Sequence, residues 1–315
     1  MTAIGGYFEL ELRKGEHYHK DALRLNTARN CFEYILRARG YRKVYIPYYT
    51  CEVMLEPLQK CNVLYEFYHI NEQLEPAKSY NLLPNEAFLY TNYYGLKQRC
   101  VERLALQYGS QLIVDNAQAF YAKPIEGIDT FYSPRKFFGV PDGAYLYTTQ
   151  LLNQELEQDQ SYQRMSHLLM RADIGAEAGY EVFRNNDDAL KNNPIRKMSN
   201  LTEKILCGID YEAIKQQRRA NYQMLDETIG TQNHIHFHLD ASDVPMVYPF
   251  YSENMLLRQH LIANKIFVAT YWQNIFAWCQ PNMWEHQLTQ KLLPIPIDQR
   301  YNGDDMNRII SIICK

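Results

Sequence analysis

The chain has 315 residues, 46% hydrophobic and 22% charged, and its 33 basic and 36 acidic side chains leave a formal charge of −3. That balance gives no electrostatic footprint for nucleic acid or an anionic membrane surface, and the length suits one large and one smaller domain. Seven cysteines, at 31, 51, 61, 100, 207, 279 and 314, show no metal-ligand spacing and argue against a disulfide framework, so reduced thiols in a cytoplasmic protein are expected.

No basic segment followed by an apolar run opens the sequence, and no apolar run nears ~20 residues, so neither a signal peptide nor a transmembrane helix is expected. Residues 4–12 (IGGYFELEL) alternate apolar and acidic side chains and predict a short exposed strand or arm, within an N-terminal arm over 1–19. Next comes a helix over LNTARNCFEYILRARG, with Asn26 or Thr27 as N-cap and Gly40 as stop. Strands follow at 43–46, 63–68, 87–91 and 112–114, with helices at about 51–60 and 96–108 between them. This alternation with short connections predicts a mainly parallel sheet with helices on both faces.

Two more strands, 128–132 and 143–148, flank a turn that carries Lys136. Beyond it the sequence predicts helix from 150 to 172, a linker over 184–194, and one long helix from Ser199 to Gly230. The last third predicts strands at 234–239, 244–250 and 266–269 and helices near 253–264, 283–291 and 303–313. The division expected is a large domain over 20–215 and a smaller α+β domain over 216–315.

Ligands of open parallel sheets bind beyond the carboxyl ends of the strands, where Asp115 stands after LIV. An Asp at a strand end is usually a turn or capping residue, and a loop lysine is usually a solvated charge. Here Lys136 lies between Pro134 and the Phe137–Phe138 pair, which predicts partial desolvation and a more nucleophilic amine. A lysine for a Schiff base and a carboxylate for a ring nitrogen are the pair that pyridoxal phosphate requires.

DNAQAF at 115–120 followed by SPRKFFGVPDGAYLY at 133–147 resembles the DegT/StrS-type sugar aminotransferases. IPYYTC at 46–51, NYYG at 92–95, NPIRKMSNLTEKIL at 193–206 and RRANYQML at 218–225 resemble further segments of that family in matching order. The resemblance implies an α/β fold type I transferase that uses pyridoxal 5'-phosphate. It implies Lys136 as the Schiff-base lysine and proton shuttle, Asp115 on the pyridine nitrogen and Gln118 at the ring hydroxyl. Thr27, Ala28 and Arg29 would cradle the phosphate at a helix N-terminus. Asn193 would reach the phosphate of a neighbouring subunit, which implies a homodimer.

The pattern also departs from the family. Thr27-Ala28-Arg29 replaces the usual Ser-Gly-Thr, and Arg29 is either a phosphate fork or a surface residue of its helix. The phosphate-binding serine five residues before the lysine is Phe131 here, and Ser133 is the nearest hydroxyl. The cofactor-stacking aromatic falls at Cys51, with Tyr49 or Tyr94 as its substitute. The family's dehydratase branch has His at the lysine position, so Lys136 favours transamination.

Other candidates rank lower. His234, His236 and His238 share one face of a period-two segment, but same-face neighbours ~7 Å apart suit two metal ligands better than three, so no metal is expected. Arg135, Arg196 and Lys197 offer a cationic rim for a nucleotide diphosphate. The expected substrates are an amino donor, glutamate in this family, and a keto acceptor such as a nucleotide-linked keto sugar for polysaccharide synthesis. A non-sugar acceptor and a non-catalytic cofactor-binding relative are the alternatives.

Overall fold

The computed structural model describes residues 4–314. The large sheet is built from β1 (Leu23–Leu25), β2 (Lys43–Pro47), β3 (Leu64–Tyr68), β4 (Glu86–Thr91), β5 (Leu112–Asn116), β6 (Asp129–Tyr132) and β7 (Ala144–Tyr147). Helices α1 (Ala28–Arg39), α2 (Leu55–Lys60) and α3 (Gln98–Tyr108) lie between its strands. After β7 come α4 (Ser166–Asp173), α5 (Tyr180–Ala189), α6 (Asn200–Cys207) and α7 (Tyr211–Ile229). The chain closes with β8 (Val247–Tyr251), α8 (Leu257–Ala263), α9 (Ile275–Trp278), α10 (Trp284–Lys291), β9 (Leu292–Pro296) and α11 (Gly303–Ile313).

Strand order in the seven-stranded sheet is β1-β7-β6-β5-β4-β2-β3. Strands β2 to β6 pair in parallel, and β7 runs against both β6 and β1. The central strands are buried on both faces, which their unbroken apolar runs foretell. Alternate residues divide between two cores. Val44, Leu89, Ile113 and Phe131 pack with Phe32 and Ile35 of α1, whereas Phe88, Tyr90, Leu112 and Val114 pack with Val101 and Leu104 of α3. This second core continues through Leu206, Tyr222 and Leu225 to Tyr248, Phe250 and Ile295 of the two-stranded β8–β9 sheet.

The Thr27–Gly40 helix is as expected: Thr27 Oγ1 accepts from the Asn30 N–H at 3.1 Å, and Gly40 closes the helix at φ 66°. Several expectations fail. Residues 4–12 form no strand and are exposed except for half-buried Leu12, and residues 1–3 lie outside the described residues. Within 150–172 the α-helix begins at Ser166, after a single 3-10 turn at Tyr162–Arg164, because residues 157–159 bond instead to Lys197 (Lys197 N–H to Glu157 O, 2.8 Å; Asp159 N–H to Lys197 O, 3.1 Å). The 184–194 linker is helical through Ala189, where α5 carries Phe183 against His167 of α4.

The long helix breaks at 208–210. Asp210 caps α7 by accepting from the Ala213 N–H at 3.1 Å, and Ser199 caps α6 through the Thr202 N–H at 3.2 Å. Neither 234–239 nor 266–269 is a strand. The partner of β8 is β9, which the sequence hides behind Pro294 and Pro296. Both strands are edges of their sheet, and edges tolerate proline.

Candidate active site

The parallel strands deliver their carboxyl ends to one rim: Thr91 from β4, Asp115 from β5 and Ser133 just after β6. Strand β1 points the same way, being antiparallel to β7, so the N-terminus of α1 opens on this rim too.

Asp115 is buried, and its Oδ1 accepts from the Ala117 N–H at 2.8 Å. Burial pushes its carboxyl up to about 6, while the Ala117 N–H and the Lys136 ammonium pull the other way. Gln118 is buried beside it. Its Oε1 accepts from the Tyr94 N–H at 3.0 Å, but its Nε2 has no hydrogen-bond partner among the described residues, and neither does Thr91 Oγ1. Buried polar atoms are rarely left so, and unfilled donors and acceptors around one carboxylate mark a place for a polar ligand.

Tyr94 is fully buried at φ 58°, and its hydroxyl pairs with that of Tyr49 at 3.0 Å. Gly95 follows at φ +73°, where a Cβ would stand 3.0 Å from Val244 O and 3.2 Å from Gln118 O. Gly95→Ala is therefore expected to destabilise the fold by about 1–3 kcal/mol and to displace Gln118. Urea denaturation would check this, and an unchanged midpoint would refute it.

Lys136 ends a single 3-10 turn, Pro134–Lys136. Contrary to expectation, Phe137 and Phe138 do not cover it: both rings are buried and Lys136 is exposed. Phe137 and Phe138 pack instead around Phe120 and Tyr121. Beyond the lysine turn, buried Asp142 ties the segment before β7 to the start of α6, accepting from Ser199 Oγ at 2.9 Å, from the Ser199 N–H at 3.2 Å and from the Thr202 hydroxyl.

Cys51 lies near both Lys136 and Arg29. Burial raises its thiol pKa, while the Val53 N–H and then the charges of Lys136 and Arg29 oppose the rise. The expected site residues thus converge from α1, the turn after β2, β5 and the lysine turn. Thr27 is spent on its cap, and Arg29 is ion-paired to Glu56 at 2.9 Å, so its fork already has an acid partner. Ala28 is half-buried at the first helical position. Phe131 faces away, against Phe32, and Ser133 is buried at the rim. The Asn193 amide is folded onto its own chain, donating to Ala189 O at 2.8 Å.

Of the cationic rim, Arg135 pairs with Asp187 at 2.5 Å and Arg196 with Glu157 at 3.5 Å. Among the described residues no group of three or more His, Cys, Asp or Glu is arranged to hold a metal ion. No helix among them is long and apolar enough to cross a membrane.

One residue stood in the sequence, at the start of RRANYQML, without a role. Arg218 of α7 is 1% exposed, and with Lys136 it lines a cavity of about 230 Å³. The signal was present in the spacing: Arg218 shares the buried stripe of α7 with Tyr211, Tyr222, Leu225 and Ile229.

The architecture is a mainly parallel seven-stranded sheet with helices on both faces, joined to a two-stranded sheet in the last third of the chain. No family model and no curated protein matches the sequence. Solved structures do match. S. venezuelae DesV, in complex with a ketimine intermediate, is 17% identical over 93% of this chain and 83% of its own, with a TM-score of 0.62. The sugar aminotransferase CalS13 from Micromonospora echinospora is 13% identical over 93% and 87%, with a TM-score of 0.63. NtdA from Bacillus subtilis with bound cofactor PMP is 13% identical over 93% and 72%, with a TM-score of 0.65. At these identities the likeness is one of fold.

Proposed function

We propose that this chain is a pyridoxal-phosphate-dependent aminotransferase that moves an amino group from an amino acid, glutamate by resemblance, to a keto acceptor. The observation that carries the reading is Asp115, a buried carboxylate within reach of the Lys136 charge and beside the unpartnered Gln118 amide. These residues fit the cofactor: an acid for its ring nitrogen, a donor for its ring hydroxyl and an amine for its carbonyl. When bound, the cofactor supplies an electron sink for carbon–hydrogen bond cleavage.

The protein's part is to hold and move protons. Asp115 keeps a positive charge on the ring nitrogen, and Gln118 Nε2 donates to the ring hydroxyl. Lys136 Nζ takes and returns the substrate proton. The phosphate would be held at the N-terminus of α1, beside Ala28 and the Ser133 hydroxyl; Thr27 is taken by its cap, Arg29 would have to leave Glu56 to join them, and Tyr94 would be the ring's aromatic neighbour. Residues 20–215 would form the cofactor-binding domain and 216–315 the smaller one.

A homodimer supports the same chemistry. Lys136 is exposed in a single chain, and a second copy over this face, with its Asn193 turned to the phosphate, would exclude water from it. The free cysteines suit a reducing cytoplasm.

A nucleotide-linked keto sugar for polysaccharide synthesis is the acceptor that the resemblance favours. The ion pairs already made by Arg135 and Arg196 favour the second reading, an acceptor without a diphosphate. The test of cofactor chemistry is direct. Pyridoxal phosphate added to the purified protein should give an absorbance band near ~420 nm, and borohydride should then fix the label at Lys136. Absence of both band and label would remove the proposal.

A further inference from the structure

We propose that the N-terminal arm of one copy of this chain lies in a groove beside α1 and α2 of a second copy, with Phe8 and Leu10 as its apolar anchors. The inference does not depend on the cofactor chemistry.

The arm is an apolar segment with nothing beneath it. Ile4, Tyr7 and Phe8 are each at least 94% exposed, and Leu10 is 61% exposed. In an extended chain successive side chains point to opposite sides. Phe8, Leu10 and Leu12 therefore share one side, and Glu9 and Glu11 share the other. The root of the arm is fixed on the body, where Lys204 Nζ donates to Glu9 at 2.6 Å and Arg13 faces Asp210 at 3.8 Å. Large apolar side chains gathered on one exposed segment mark an interaction surface.

A groove of about 370 Å³ opens where α1 and α2 end. Buried Leu36, Tyr41 and Val63 form its floor, and Arg37, Lys60 and Cys61 stand at its edge. Around that edge three cations, Arg29, Arg37 and Lys60, share two carboxylates, Glu33 and Glu56. The groove therefore suits an occupant that is apolar on one side and acidic on the other. The arm has that pattern. Phe8 and Leu10 fit the floor, and Glu11, which makes no ion pair among the described residues, fits the Arg37 edge.

The arm of the same chain cannot reach. Arg13 and Gly15 approach Gly208 and Cys207 closely. They lie on the sheet face whose core holds Leu206 and Tyr211, whereas Leu36 and Val63 belong to the core of the opposite face. From β1 to β2 the sheet also spans five strand spacings, roughly 24 Å. Residues 8–12 extend at most about 17 Å. A second copy removes the difficulty, and in a two-fold pair each copy lends one arm and receives one, so the contact is made twice. Lys60 Nζ also donates to Asn193 O at 3.0 Å, so the groove adjoins the loop that the dimer reading turns toward a second copy.

The experiment uses the full-length chain and the cysteine already at the groove. Leu10→Cys, oxidised with copper–phenanthroline, should give a covalent dimer joined at Cys61, read on a non-reducing gel and by mass spectrometry of the tryptic peptides. Its yield should exceed that of the wild type, and that of Leu10→Cys combined with Cys61→Ser, by roughly tenfold. Adding Phe8→Asp to Leu10→Cys should cut the yield roughly tenfold. Adding Arg37→Ala should cut it about two- to fivefold. Phe8, Leu10 and Arg37 are exposed, so these substitutions leave the fold in place. A link formed within one chain, or no link at Cys61, would overturn the proposal.

Discussion

Lys136→Ala is expected to lower turnover by roughly four orders of magnitude or more, since it removes both the covalent anchor and the proton carrier. The fold should hardly notice. Lys136 is exposed, and its side chain makes no hydrogen bond or ion pair among the described residues. Stability should therefore stay within about 0.5 kcal/mol of wild type. Steady-state amino transfer and urea denaturation, run together, check both halves. A variant that kept measurable turnover at a wild-type rate would remove Lys136 from the chemistry.

Asp115→Asn should act in opposite directions on function and stability. With the carboxylate gone, nothing holds a positive charge on the ring nitrogen, and turnover should fall roughly 10²–10³-fold. The cofactor-free protein should become more stable. Burial raises the Asp115 carboxyl from 3.8 to about 6, so the folded chain binds its proton more tightly than the unfolded chain does. Stability is then lost as pH rises from about 4 to 6, and the penalty persists above that window. Its size is at most about 3 kcal/mol for a shift of two units. Asparagine keeps an oxygen for the Ala117 N–H and carries no charge to bury. Melting of the cofactor-free proteins across this pH range should show the wild type losing more stability than the variant, whose remaining slope belongs to other buried groups such as Asp243. Parallel curves would mean that Asp115 ionises without cost in its pocket.

The legible parts of the sequence were those where local chemistry and tertiary packing agree. Thr27 and Gly40 mark the ends of α1 within one residue, and the runs LIV and AFLYT announce central strands. Asp115 was readable because it follows such a run. The illegible parts are those where distant partners decide. Residues 157–159 have helical composition but bond to Lys197, and the alternating His234–Leu239 segment finds no strand to pair with. Strand β9 contains two prolines and reads as a loop until β8 is beside it. The break at Gly208 and Asp210 was written in cap residues, but the apolar rhythm on either side concealed it. The exposure of Lys136 was not readable at all. Adjacent phenylalanines suggest shelter, but their rings turn inward to Phe120 and Tyr121.

The pairing of β1 with β7 also sets an order of assembly. Strands β2 to β6 join through short crossovers, so that block can fold from neighbouring pieces of chain. The N-terminal segment cannot. His17 meets the Tyr145 hydroxyl across 128 residues of sequence, and β1 waits for the same strand. Closing so long a loop is entropically expensive and comes late. On a ribosome, the N-terminus emerges first yet docks only after Tyr147 has left the exit tunnel. The rim where α1 begins is therefore completed after the acid at the end of β5 is already in place, and cofactor capture would follow the last step of sheet closure.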